Sequence, residues 1–423
     1  MKKLFVNNIS LAFITSLICA VTCFTVHIIP RSNSMINFRT EEINRDHKII
    51  SNEYLTSVID VHKTEPAFAR RPLTTFLIEE FSKITSLNFG WAFTIINFFM
   101  LFIAGILICF VSLAAGHNQK EAVLSTVCFF LSFSVLFSFF RSNYSYDEPL
   151  QYIFIFIAFL GLLNKKWIIS IIALSLAMIT RESSVLLLPS VIFFLLPENK
   201  KFISYLNWRY LKKIIIISIP VFFHMVFLYF YLTYYEVGEK SKSDLLNRLY
   251  YFHFNFQNTD YAVESVTSLF FAIGLQLYLI LWYVKDLENT FLEGRLIKSF
   301  IFALILNSVI VLLSTKARET RLFALPLVFI WPILGKVVLT EFRFIKTGIR
   351  NLNTWLSILF FLFLIFVGIL ISKYVYTPTE MNPDENFFHE YLGFTLVLIS
   401  LHCLIRFLCE KKQKAANLPD AKK

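Results

Sequence analysis

FGWAFTIINFFMLFIAGILICFVSLAAG, residues 89–116, runs for 28 residues without a charge. At 1.5 Å per residue an α-helix of that length reaches about 42 Å, more than the ~30 Å of hydrocarbon in a bilayer. Similar runs recur at about 4–29, 122–140, 149–163, 167–179, 184–197, 214–235, 262–284, 299–315, 321–340, 354–376 and 390–409, twelve segments in all. Of 423 residues 57% are hydrophobic, 49 are Phe and only 16% are charged, against roughly 25% charged in an ordinary soluble domain. These figures exclude a soluble enzyme, and 11 Gly with 12 Pro exclude collagen-like and linker-rich chains. The expected fold is all-α, a polytopic integral membrane protein of about 12 transmembrane helices. One transmembrane domain covers 1–410, and a cytoplasmic basic tail covers 411–423.

The first segment follows Met1-Lys2-Lys3. Its apolar length and the lack of a small-x-small cleavage site before Pro30 favour a retained anchor over a signal peptide. Cationic loops stay in the cytoplasm, and an N-terminus inside places 23 of the 40 basic but only 8 of the 29 acidic residues there. An even number of spans then leaves both termini cytoplasmic. Clusters such as Lys200/Lys201/Arg209 and Lys411/Lys412/Lys414 read as topogenic residues beside anionic membrane lipids, so the net charge of +11 needs no nucleic acid. The Lys-, Ile-, Asn- and Phe-rich usage suits an AT-rich bacterial genome, hence a bacterial cytoplasmic (inner) membrane. All six cysteines (Cys19, Cys23, Cys109, Cys128, Cys403, Cys409) lie in apolar runs without CxxC spacing, which indicates neither disulfides nor a zinc site.

Segments 167–179 and 184–197 are too short to cross hydrocarbon alone. The turn between them, Thr180-Arg181-Glu182-Ser183, is therefore expected below the outer membrane surface, facing a polar cleft. The first external loop, 31–88, carries two amphipathic patterns. In one, Ile50, Tyr54, Val58 and Val61 oppose Glu53 and Asp60; in the other, Leu77, Phe81 and Ile84 oppose Glu79, Glu80 and Lys83. Both predict helices lying flat at the interface and roofing a cavity. In the loop 236–261, Tyr250, Tyr251, Phe252, Phe254 and Phe256 suit an interfacial belt or sugar stacking.

Charges gather at outer helix ends: Arg141 with Asp147 and Glu148, Arg181 with Glu182, and Lys316, Arg318, Glu319 and Arg321. Ionisable groups at membrane depth cost several kcal/mol unless paired or solvated, and one polar, outward-facing cavity would account for all of them. Each group also has an ordinary account. Asp147 and Glu148 before Pro149 suit a helix start, Arg181/Glu182 and Arg318/Glu319 suit neutralising ion pairs, and Arg321 suits snorkelling. Glu41, Glu42 and Asp46 suit a solvated loop. His27, His224 and His402, alone in apolar helices, read as polar packing residues. There is no HExxH, DxD or GxGxxG motif, nor a Walker loop.

The layout of one helix, a large external loop with early carboxylates and interfacial helices, then further helices with charged outer ends resembles the GT-C superfamily of polytopic membrane glycosyltransferases, which use polyprenyl-phosphate-linked sugars. The residues carrying the resemblance are Glu41-Glu42 and Asp46, Pro66-Ala-Phe-Ala-Arg70-Arg71-Pro72-Leu, Tyr146-Asp147-Glu148-Pro149, Thr180-Arg181-Glu182-Ser183 and Arg318-Glu319-Thr320-Arg321. The chain departs from the best-defined members in lacking an Asp-Asp or Asp-Glu pair directly after the first helix.

Sugar transfer from a lipid phosphate needs a base at the acceptor hydroxyl and cations at the departing phosphate, which arginine binds in a bidentate geometry. The expected base is Asp46, with Glu42 and Glu41 behind it. Arg181, Arg318 and Arg321, then Arg71, are the expected phosphate ligands. Asp147, Glu148, Glu182 and Glu319 would orient them or hold a divalent cation, Mg or Mn. The acceptor would be a glycan, a lipid or a protein. A secondary transporter or flippase, an envelope polysaccharide polymerase or ligase, and a scaffold protein are the alternatives. The transporter reading expects midplane charges on repeated, broken helices.

Overall fold

The computed structural model describes residues 2–28, 52–136, 146–195, 208–234, 248–286, 291–349, 354–370 and 388–416. Among these residues the fold is all-α, with no strand. The chain divides into two compact units, Met1–Ile273 with Glu288–Gly335, and Gly274–Leu287 with Lys336–Lys423.

The first unit opens with α1 (Lys2–Ile28), α2 (Asn52–Thr64), α3 (Pro66–Ala69), α4 (Pro72–Thr85), α5 (Phe89–Ala114), α6 (Gln119–Phe130) and α7 (Phe133–Leu136). It continues with α8 (Glu148–Leu163), α9 (Trp167–Thr180), a 3-10 run Glu182–Leu187, α10 (Leu188–Leu195), α11 (Trp208–Tyr234) and α12 (Tyr251–Asn255). Next come α13 (Thr259–Asp286), which ends in the second unit, α14 (Phe291–Ser314), and the 3-10 runs Thr320–Phe323 and Leu325–Phe329.

The uncharged stretch 89–116 forms α5, and α1, α4, α6 and α8 pack on it. Its start is set by Asn88, whose side chain accepts from the Trp91 amide, and that of α6 by an Asn118/Glu121 capping box. Each cap satisfies donors that a helix N-terminus leaves free. Six helices among the described residues are long and apolar enough to cross a membrane: Asn8–Val26, Phe89–Ala114, Lys212–Tyr234, Thr259–Lys285, Leu292–Ser314 and Tyr391–Glu410. Their exposed side chains are apolar too, as at Phe222, Phe223, Met225, Tyr229 and Phe230 of α11.

Between helices in lipid the hydrophobic effect gives little drive, and close approach of small residues takes its place. Gly105 faces Ser16, Gly161 faces Ser170, and Gly335 faces the Glu121 carbonyl and Ser125; a Cβ at any of these would collide with its neighbour. The serines tie the same contacts with hydrogen bonds, Ser16 to the Phe102 carbonyl at 2.6 Å and Ser125 to the Pro332 carbonyl at 2.9 Å.

Two segments differ from the continuous helices expected at 122–140 and 321–340. The first breaks at Ser132, whose hydroxyl donates to the Cys128 carbonyl at 2.8 Å and accepts from Trp331 Nε1 at 2.9 Å. The second runs as 3-10 turns around Pro326 before α15 (Trp331–Ile349) begins. Proline lacks the N–H an α-helix needs, and the side chains of neighbouring helices bond to the backbone in its place. The α4 helix carries large apolar side chains on its exposed side. Thr74, Thr75 and Ile78 are buried while Phe76, Leu77 and Ile84 are exposed, the arrangement expected when the medium outside is itself apolar.

The second unit holds the remainder of α13 and α15 with α16 (Thr354–Leu370) and α17 (Phe388–Ala416). Here His402, expected as a packing residue, joins a buried network. Its Nε2 is 2.8 Å from Glu341, its Nδ1 is 2.7 Å from the Tyr278 hydroxyl, and Arg406 donates to both Glu341 oxygens.

Candidate functional site

The charged groups of the first unit meet at the ends of its short elements. Arg70 and Arg71 fill the break between α3 and α4, two helices that each begin on a proline, Pro66 and Pro72. Proline suits a first helical position but disfavours helix in the residue before it, and Arg71 is non-helical (φ −120°, ψ 60°). Asp147 precedes Glu148 and Pro149 at the start of α8. Arg181, in extended conformation, joins α9 to the 3-10 run that carries Glu182. Gln151 ties α8 to this turn by donating to Ser184 Oγ at 2.8 Å.

From these ends the side chains form one network. Arg71 donates from Nε and Nη2 to the two Glu182 oxygens at 2.6 and 2.9 Å. Arg70 Nε lies 3.1 Å and Arg248 Nη1 4.0 Å from Glu182 Oε1. Arg71 Nη1 stands 4.0 Å from Asp147 Oδ2. Beside Asp147, Glu148 pairs with Arg181 and lies 3.8 Å from Arg321, which also donates to Glu319 at 2.6 Å. Among the described residues, five arginines thus meet four carboxylates.

Asp147 is the unusual member. It is fully buried and its carboxylate accepts no hydrogen bond of ordinary geometry. It is the N-cap residue of α8, as an acid ahead of Pro149 suggests, yet its side chain makes no cap hydrogen bond. Burial pushes its carboxyl up to about 7 against the pull of Arg71 and Arg181, with Glu148 adding to the rise. Glu182 goes the other way: burial would raise it, but the Arg71 fork holds it well below the usual carboxylate range. Tyr146 fixes the approach to Asp147. Its hydroxyl is 2.8 Å from Thr75 Oγ1, and its ring stacks on His62 at 4.0 Å.

Of the residues expected at the site, Arg71, Arg181, Arg321, Asp147, Glu148, Glu182 and Glu319 come together. Arg318 does not join them: its guanidinium is 3.2 Å from Glu264 and lies over the Tyr261 and Phe254 rings at 4.0 and 5.0 Å. Asp46, Glu42 and Glu41 lie outside the described residues. Sequence reasoning gave no site role to Arg248, nor to Arg70 and Tyr146, which it quoted only within motifs. None of these belongs to a periodic pattern, and the one available signal for Arg248 was a lone arginine beside a cluster of aromatic residues. Glu148, Glu182 and Glu319 are each turned onto arginines, and among the described residues no group of three or more His, Cys, Asp or Glu is placed to hold a metal.

No family model matches the sequence, no curated protein matches it, and no solved structure matches its fold.

Proposed function

We propose that the chain is a GT-C-like membrane glycosyltransferase of about twelve spans. It moves a sugar from a polyprenyl-phosphate donor to a glycan, lipid or protein acceptor at the outer face of a bacterial cytoplasmic membrane, with both termini cytoplasmic. The observation that supports this reading is the convergence of Arg70, Arg71, Arg181, Arg248 and Arg321 around Asp147, Glu148, Glu182 and Glu319 at the ends of apolar helices. Several guanidiniums gathered in one place are what a lipid-borne phosphate requires. In the reaction the acceptor oxygen attacks the anomeric carbon, and the bond from that carbon to the phosphate oxygen breaks. The electron pair stays on the phosphate, and the acceptor proton passes to a carboxylate of the first loop, Asp46 ahead of Glu42 and Glu41.

The test is transfer by purified protein in vesicles supplied with a labelled polyprenyl-phosphoryl sugar and a membrane extract as acceptor. Wild type should transfer label, and Arg181→Ala should lose at least about 100-fold, the effect of removing a charged transition-state contact. Undiminished transfer by Arg181→Ala, or solute flux without transfer by wild type, would defeat the reading, the latter in favour of a transporter.

A further inference from the structure

Two features of the network stand apart from its paired arginines. Asp147 is a fully buried carboxylate with no hydrogen bond of ordinary geometry, and Arg71 is held by a two-point fork to Glu182 that leaves its Nη1 4.0 Å from Asp147. An anion placed against Arg71 and Arg181 therefore competes with the Asp147 carboxylate for the same positive charge. Like charges sharing one site disfavour each other's ionised form. We propose that a phosphate anion bound by these arginines draws one proton onto Asp147, so that donor binding and proton uptake are a single coupled event.

This inference rests on reading the arginine cluster as a phosphate site, and adds to it a reason for the buried acid. Protonation of Asp147 removes a negative charge from beside Arg71 and Arg181, so the arginines then bind an anion more tightly. Its value of about 7 puts the change within the physiological range. By linkage, affinity is then highest and constant where Asp147 is already protonated in the free protein. It declines as pH rises through about 7, by about tenfold per pH unit, until the higher value of the bound state is reached. In the reverse direction, departure of the anion returns the proton.

The groups facing Asp147 are Arg71 from the α3–α4 break, Thr74 of α4, Glu148 of α8, Arg181 after α9, and its neighbour Tyr146. Two histidines stand near by: His62 stacks on Tyr146, and His224 of α11 lies within electrostatic reach of Glu182 and Arg70. Histidine is the side chain whose charge ordinarily changes near neutrality, so the experiment must separate them from Asp147. Asp147→Asn does so, since it keeps the shape and leaves both histidines in place.

The measurement is titration calorimetry of the full-length protein in detergent with a short-chain prenyl-phosphoryl glucose. This probe is a phosphodiester whose own single charge does not change between pH 5 and 9. Wild type should bind about tenfold more weakly for each pH unit above 7 and should take up close to one proton per ligand at pH 8, read from two buffers of different ionisation enthalpy. At pH 5.5 the uptake should be near zero. Asp147→Asn should bind at pH 8.5 as tightly as wild type binds at pH 6, with no proton uptake. The wild-type proton count needs no variant, so the proposal remains testable should Asp147→Asn fold poorly. Displacement of the probe by sulfate would assign the coupling to a free anion, and retention against sulfate to a lipid-borne one. Binding of wild type that is flat with pH, or a slope retained in Asp147→Asn, would overturn the coupling alone. Absence of saturable binding at every pH would overturn the phosphate site and the coupling together.

Discussion

Glu148→Ala should cost about 3–5 kcal/mol of stability, the range for breaking a buried ion pair from one side. Glu148 is buried between Arg181, with which it pairs, and Arg321, 3.8 Å away. Both guanidiniums are themselves buried, and neither can shed its charge, because arginine stays protonated under all ordinary conditions. Removing the acid brings two cations into a dry space with less compensation than before. Water would have to enter, or the α8–α9 pair would have to part. Glu264→Ala makes the comparison: its partner Arg318 is part-exposed, and an exposed or half-exposed pair is worth about 0–1 kcal/mol. Thermal unfolding of the two variants in one detergent checks the difference. Equal shifts would mean that the network around Glu148 is no more than a surface arrangement.

Arg71→Lys should behave almost as badly as Arg71→Ala in sugar transfer, even though it keeps the charge. The Arg71 fork spans both oxygens of Glu182 and still presents Nη1 toward Asp147. A lysine has one compact ammonium and cannot do both. Loss of a charge-assisted hydrogen bond is worth about 1.5–3 kcal/mol, or roughly 10- to 100-fold in rate. Arg318→Lys should change transfer by less than about threefold, since a lysine retains both the attraction to Glu264 and the contact with the Tyr261 ring. Initial rates at several donor concentrations, in protein that remains monodisperse, give the result. Full activity in Arg71→Lys would show that charge alone suffices there and that the fork is incidental.

How much of this was legible in the sequence depended on whether the deciding partner was local. Helix α5 could be read directly from its uncharged run and from Asn88. The break in 321–340 could not, because membrane helices tolerate proline and Pro326 and Pro332 therefore do not by themselves mark one. What holds the alternative is remote: Ser125 on the Pro332 carbonyl and Ser132 on Trp331. For α4 the amphipathic pattern left open which side packs inward, and in the structure Thr74, Thr75 and Ile78 are buried while Leu77 and Ile84 are exposed. Arg318 and Arg321 illustrate the same limit within the site. Three residues apart, they would share a face of an α-helix. The 3-10 run instead starts at Thr320 and turns one toward Glu148 and the other toward Glu264. Which acid each arginine meets is settled by tertiary packing. That they are numerous and near helix ends is written in the chain.

The central claim is that a lipid-borne phosphate sits on the arginines gathered around Glu148 and Glu182. Electron cryomicroscopy of the protein in a lipid nanodisc, with a non-transferable prenyl phosphonate sugar bound, tests it most directly. The account predicts phosphonate oxygens at hydrogen-bond distance, about 3 Å, from at least two of Arg71, Arg181 and Arg321. A phosphonate seated elsewhere, beside Arg318 alone or among the cations of α15, would contradict it.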